Sequence, residues 1–392
     1  MIRISVKRLH YHSKAYLNVP KCFCSAKSQS EPRKKELSNT TKLFIDVATL
    51  SKARLSGLVA FTTAAGFFCA GGPMDLSSLA ITCLGTGLCA GSASSFNQIF
   101  EKERDAQMKR TSNRPLPTER ISKDSALIFG TSTGMLGSGL LLFGTNPVVA
   151  ALGLGNILLY AGPYTFSKRY TEWNTWIGSL VGAIPPVMGY AAATGGVILA
   201  PEPIILSSIL FLWQFPHFFA LSWMHRIDYA RGGFQMVACN DITGTRTANL
   251  IQEYTIYLTI LPLLTSAIGY TSYMFALEGT LINIYLLTLV HKFKKDRSNN
   301  NARNIFLCSL WYVQLSYSIL LLLLIYMSLY SYASLYIYSA SYRTSYINRY
   351  LPVLLCGYVF FAKETKQVNT TSILQLGNGE ERDEEEVRLL LI

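Results

Sequence analysis

The sequence predicts an all-α, polytopic membrane protein built as a nine-helix transmembrane bundle. Three observations lead there. Half of the 392 residues are hydrophobic and only 15% are charged, a balance typical of integral membrane proteins. Nine apolar runs are long enough, or nearly so, to cross a bilayer. The segments between these runs alternate sharply in Lys and Arg content.

The runs fall at about 54–72, 77–98, 124–143, 147–165, 175–195, 203–223, 250–274, 277–292 and 305–331. Some carry Gly and Pro, as in Gly182-Ala183-Ile184-Pro185-Pro186; membrane helices tolerate these where neighbours satisfy the freed backbone groups. Before the first run, residues 1–30 hold no Asp or Glu but contain Arg3, Lys7, Arg8, Lys14, Lys21 and Lys27. That amphipathic, basic, acid-poor profile predicts a mitochondrial transit peptide, followed by a polar linker, over residues 1–40. A membrane domain is expected over 41–335. Residues 336–392, Tyr-rich and then acidic (Glu380, Glu381, Asp383 to Glu386), read as a disordered tail.

The loops 99–123, 166–174, 224–249 and 293–304 are rich in Lys and Arg, whereas 73–76, 144–146, 196–202 and 275–276 have none. The basic loops and the N-terminus therefore share one compartment. For an inner mitochondrial membrane protein this is the matrix, and nine crossings leave the C-terminus in the intermembrane space. Net charge is +12, but the basic residues lie between apolar runs and form no single stripe, so nucleic acid is not the expected partner. The eight cysteines show no CxxC or metal spacing, which argues against a disulfide framework or a zinc site.

Two clusters carry chemistry. Asn97, Glu101 and Asp105 end the second run at i, i+4 and i+8, within an arc of roughly 80° on one helical face. Stacked oxygen ligands of this kind suit Mg²⁺, which takes one or two carboxylates and completes its shell with water and phosphate oxygens. Lys109, Arg110 and Arg114 follow and can grip the same phosphates. A solvated helix end, with pairs such as Asp105 to Lys109, would use the same residues. The second cluster ends the sixth run on the same side: Trp213-Gln214-Phe215-Pro216-His217-Phe218, then Arg226, Asp228 and Arg231. Paired polar clusters at membrane exits point to function, because charge at that depth is costly. His217 reads either as an interfacial histidine with a satisfied hydrogen bond or as a porphyrin-facing residue.

Asn-x3-Glu-x3-Asp followed by Lys-Arg-Thr-x-x-Arg-Pro-Leu resembles the first Asp-rich motif of the UbiA superfamily of intramembrane aromatic prenyltransferases. Tyr164-Thr165 with Lys168-Arg169, the stretch Gly182 to Gly195, Trp213-Gln214-Phe215-Pro216-His217-Phe218, and Asp228-Tyr229-x-Arg231-Gly232-Gly233-Phe234-x-Met236 resemble the branch of that superfamily that farnesylates haem. The resemblance spans about residues 50–330. It implies farnesyl diphosphate and haem b (protoheme IX) as substrates, haem O as product and a downstream haem O-processing enzyme as partner. It also implies Mg²⁺ on Asn97, Glu101, Asp105 and Asp228, and a diphosphate held by Lys109, Arg110, Arg114, Lys168 and Arg231. Haem contacts are expected from His217, Trp213, Arg169, Arg226 and Arg246. The sequence departs from the pattern with one clear carboxylate in the second motif, Asp228, with Asp241 13 residues further on, and with Gln235 where Pro is expected. Other expectations use the same features: a prenyltransferase acting on hydroxybenzoate in the ubiquinone pathway, or a carrier or assembly factor without chemistry.

Overall fold

The computed structural model describes residues 39–71, 75–271 and 273–310. The transit-peptide segment, most of the ninth run, the Tyr-rich stretch, the run 351–362 and the acidic tail lie outside the described residues.

Among the described residues the chain is helical, without strands. Helix α1 spans Asn39–Leu50, α2 Ala53–Phe68, α3 Leu76–Gln107, α4 Lys123–Gly144 and α5 Pro147–Leu159. A π-helical turn, Tyr160–Tyr164, joins α5 to α6, Thr165–Tyr170. Then come α7 Asn174–Ala193, α8 Pro201–Met224, the short α9 Arg226–Arg231 and α10 Val237–Asn240, α11 Thr245–Ala267 and α12 Tyr273–Lys295. Six segments are long and apolar enough to cross a membrane: α3, α4, Pro147–Tyr170, α7, α8 and α12. The first eight expected runs each fall on a helix; the ninth is described only to residue 310, helical from 299.

Local chemistry sets the helix starts. Asp75 accepts from the backbone N–H groups of Ser77 and Ser78 at the start of α3, Ser122 caps α4, and Asn146 caps α5 with Pro147 in its first turn. These are the side chains that satisfy orphan donors at helix N-termini.

Packing places α3 against α2, α4, α5 and α7, and α8 against α7 and α11, with α12 on α11. Without a hydrophobic force between helices in lipid, close backbone approach matters most. At the α2–α7 crossing a Cβ on Gly189 would sit 1.8 Å from the Thr63 carbonyl oxygen, and one on Gly66 2.0 Å from that of Pro186. Only glycine permits that contact. A second core joins α8, α10, α11 and α12 around Phe215, Phe219, Ile251, Leu286 and Phe293. The result fixes the ends of α3, α6 and α8 beside one another.

Candidate active site

The polar end of α3 is buried. Asn97, Glu101 and Asp105 are 1%, 4% and 1% exposed, which rules out a solvated helix end. Asp105 pairs with Arg114 at 2.6 Å, not with Lys109. This requires the chain to fold back after α3, and Thr111 arranges it: its hydroxyl donates to the Asp105 carbonyl at 3.0 Å. Leu116, two residues beyond Arg114, is fully buried and anchors the return.

The opposite wall comes from the π turn. Pro163 lies within it. The extra residue shifts the helix register, so that Tyr160, Thr165 and Lys168 all reach α3. Thr165 Oγ1 donates to the Tyr160 carbonyl at 2.7 Å and accepts from Asn97 Nδ2 at 3.0 Å. Lys168 Nζ donates to Glu101 Oε1 at 3.0 Å and lies 4.3 Å from the Tyr164 ring centre.

A third element closes the layer. Lys52, between α1 and α2, has a left-handed backbone (φ 47°) and donates to Asn97 Oδ1 and to the Tyr160 hydroxyl, each at 3.1 Å. Gln98 holds that junction by donating to the Leu50 and Thr49 carbonyls at 2.7 and 3.1 Å. Asn97 and Gln98 thus serve opposite ends of one device.

The second cluster docks on the first. Asp228 accepts from the backbone N–H groups of Lys109 (2.8 Å) and Arg110 (3.0 Å), with Arg231 at 3.6 Å. Burial alone would raise the Asp228 carboxyl pKa, but these two N–H groups and the Arg231 and Arg110 cations hold it below the usual carboxylate range. His225 is pushed down by burial and by the Arg110 charge. Arg104 donates to the carbonyls of Gly232 and Gly233 at 2.7 and 2.9 Å. Gly233 needs its positive φ of 68° for that presentation, a conformation glycine adopts without cost. Gln235, where Pro was expected, donates its backbone N–H to the Lys168 carbonyl at 2.7 Å. A proline there would break the tie between the second loop and α6.

The remaining expected residues fall elsewhere. His217 is sandwiched between Trp213 (4.8 Å) and Phe306 (4.7 Å), with Nδ1 2.9 Å from Ser309 Oγ, while Trp213 Nε1 donates to the Ser309 carbonyl at 2.7 Å. They form a cluster of their own against helix 299–310. Arg169 donates to the Phe100 carbonyl and covers the Phe166 ring. Arg226 donates to the Trp223 carbonyl and to Asn299 Oδ1. Arg246 pairs with Glu172 at 2.6 Å in an open pocket also lined by Trp173 and Trp176. Asp241 stays outside the site: its Oδ2 accepts from the Thr247 backbone N–H and hydroxyl at 2.7 and 2.9 Å, capping α11.

The donor set fits a hard divalent cation with few protein ligands. Glu101 and Asp105 share a face, Asn97 adds an amide oxygen, and Asp105 Oδ1 is buried without a hydrogen-bond partner. Each Asp228 oxygen, bonded once, keeps a lone pair. No cluster of three or more His, Cys, Asp or Glu converges among the described residues, so water and ligand oxygens would complete the shell. Below this layer lies a mostly apolar cavity lined by α2, α3, α5 and α7, with Leu55, Val59, Ala93, Ile157 and Met188 in its wall and Tyr160 in contact with both levels.

Lys52, Tyr160 and Thr165 were not singled out in the sequence as site residues. Lys52 carried one readable signal, a cation at the very start of an apolar run. The π turn that aims Tyr160 and Thr165 left none.

Residues 58–315 match the UbiA prenyltransferase family. Over 269 residues the chain is 43% identical to the mitochondrial protoheme IX farnesyltransferase of Homo sapiens, covering 69% of this chain and 60% of that protein. Over 275 residues it is 41% identical to the Arabidopsis thaliana protein of the same name, covering 70% and 63%. The chain thus spans about three fifths of the length of these relatives. Two solved structures share the fold. One is a digeranylgeranylglyceryl phosphate synthase (TM-score 0.59, 16% identity, 73% of this chain and 99% of that one). The other is a UbiA homologue from Archaeoglobus fulgidus bound to DMAPP and Mg²⁺ (TM-score 0.51, 14% identity, 70% and 99%).

Proposed function

Because the chain belongs to the UbiA prenyltransferase family, we propose that it transfers the farnesyl group of farnesyl diphosphate to a vinyl group of haem b, giving haem O. The observation that carries this reading is the layered site: a buried Asn97–Glu101–Asp105 face, cations around it, and a mostly apolar cavity directly beneath. A diphosphate suits the upper layer and an isoprenoid chain the lower one.

Asn97, Glu101, Asp105 and Asp228 would hold Mg²⁺; the solved A. fulgidus homologue is bound to DMAPP and Mg²⁺. Bound there, the ion would neutralise charge on the leaving diphosphate. Arg114 and Lys168, now paired with Asp105 and Glu101, supply donors already turned toward the site. Lys109, Arg110 and Arg231 lie on the exposed rim, where they would attract and grip the diphosphate. Lys52 would join them from the α1–α2 junction. The cavity wall keeps water from the allylic centre after the C–O bond opens.

For the acceptor, His217 and Trp213 offer an aromatic-histidine surface on α8, and Arg169, Arg226 and Arg246 offer cations for haem propionates. Arg246 is the best placed of the three, since it is exposed, its partner Glu172 is half-buried, and its pocket has two tryptophan walls. Surface pairs of this kind contribute only about 0–1 kcal/mol, so a carboxylate ligand can replace Glu172. We place the protein in the mitochondrial inner membrane with its site and N-terminus on the matrix side, and the C-terminus in the intermembrane space, on the loop-charge asymmetry and on the relatives' mitochondrial names.

The test is extraction of haems from a host that lacks its own haem O synthase and expresses the full chain. A haem heavier by a farnesyl group plus a hydroxyl, its vinyl converted to hydroxyethylfarnesyl, supports the reading. Haem b alone, from protein that is inserted and stable, refutes it; prenylated hydroxybenzoate in the same extract would then identify the ubiquinone-type reaction.

A further inference from the structure

Asn156 lies on α5 one turn before Tyr160 and lines the same cavity. Four residues at 1.5 Å rise put it about 6 Å deeper, on the same helical face. The residue is half-buried, and its Oδ1 is buried with no hydrogen-bond partner. The cavity wall is mostly apolar, with Val59, Ala93, Ile157 and Pro185, and its hydroxyl residues are Ser56, Thr86, Ser94 and Tyr160.

A buried amide oxygen without a partner destabilises the fold. Native proteins satisfy nearly all such groups, and the exceptions mark strain or function. A hydrocarbon chain cannot satisfy this one. A carbon that acquires positive charge can, through the amide dipole. Turning the amide by 180° breaks no hydrogen bond, so the oxygen is free to face the cavity.

The layering fixes where that charge would appear. The polar layer formed by Lys52, Asn97 and Tyr160 sits at the top of the cavity, so a prenyl diphosphate held there sends its first carbons past the level of Asn156. We infer that Asn156 is a catalytic residue for prenyl transfer, its amide oxygen facing the allylic end of the prenyl chain and stabilising positive charge there. This rests on the prenyl-transfer reading above. When the C1–O bond breaks, both electrons leave with the diphosphate and the charge spreads over C1 and C3 of the allyl group. The acceptor's vinyl π pair then forms the new bond to C1, and water adds to the cation left on the vinyl carbon, releasing a proton. Asn156 acts on the first of these events, so its effect belongs to kcat and not to ground-state binding.

The experiment compares the full-length wild type with Asn156→Leu, a change of similar volume that removes the dipole, and with Asn156→Asp, which keeps an oxygen. Two rates are measured: haem farnesylation, and diphosphate release from farnesyl diphosphate without acceptor, which reads ionisation alone. Thermal unfolding is followed in parallel. The expected result for Asn156→Leu is a loss of about tenfold or more in both rates, on the scale of one removed electrostatic stabiliser. KM for farnesyl diphosphate stays unchanged, Tm is equal to or above wild type, and Asn156→Asp retains more of the rate. A kcat within twofold of wild type overturns the inference. So does a rate loss accompanied by a fall in Tm, which assigns a packing role, or a rise in KM alone, which assigns chain fit. Diphosphate release by a wild type that makes no farnesylated haem would defeat the acceptor reading while leaving the Asn156 comparison intact.

Discussion

Removing one partner of the Glu101–Lys168 pair should destabilise the protein far more than removing both. The pair is close, at 3.0 Å, and its side chains are only 5% and 11% exposed. Lys168→Met leaves the Glu101 carboxylate buried beside Tyr164 with no cation. Breaking a buried pair in this way costs about 3–5 kcal/mol, because the remaining charge loses its compensation. Taking about 2 °C per kcal/mol for a body of this size, Tm should fall by about 6–10 °C. The double variant Glu101→Gln/Lys168→Met removes both charges and should recover most of that loss, since the cost lies in the orphaned carboxylate and not in the pair itself. Both proteins should be inactive in farnesyl transfer. The assay is thermal unfolding in detergent without ligands, read as a double-mutant cycle. A Lys168→Met Tm within 2 °C of wild type, or strictly additive losses in the double variant, would refute the reasoning and show that water reaches Glu101.

Three other outcomes are expected. Asp105→Ala should lower product formation by about a hundredfold or more, on the scale of one lost electrostatic stabiliser, while the protein still inserts in the membrane; product analysis with haem b and farnesyl diphosphate checks this, and near-normal turnover would remove Asp105 from the metal set. Asp228 has a depressed folded-state pKa, so its contribution is complete above the unfolded value of about 4 and is lost as pH falls through the lower folded value. Asp228→Asn should therefore reduce Tm between pH 5 and 8 and narrow the gap to wild type below about pH 4; a gap independent of pH would mean that the carboxylate charge does not latch the loops. Gly189→Ala forces α2 and α7 apart and should cost about 1–3 kcal/mol, whereas at Gly87 nothing lies within 4 Å of an added Cβ, so Gly87→Ala should be neutral or gain up to about 1 kcal/mol; equal Tm changes at the two sites would contradict the close helix crossing.

The sequence by itself determined the all-helical class, the eight apolar runs that became helices, and that the two polar clusters leave the bundle at one end. Each of these follows from local chemistry: apolar length matches bilayer thickness, and a stretch such as Lys109-Arg110 cannot lie in hydrocarbon. The i, i+4, i+8 spacing likewise put Asn97, Glu101 and Asp105 on one face, because helix periodicity is a property of the backbone alone.

Only the tertiary structure decided what those residues face. Asp105 pairs with Arg114 and not with Lys109 because Thr111 and Leu116 fold the chain back over the helix end. Asp228 meets the backbone of Lys109 and Arg110 across more than a hundred residues, and Asp241, the further carboxylate 13 residues on, is spent on capping α11. Lys52 and Asn156 did not stand out in the sequence for the same physical reason. A lone cation before an apolar run and a lone amide within one acquire meaning only when packing buries them against a partner or, for Asn156, leaves them without one.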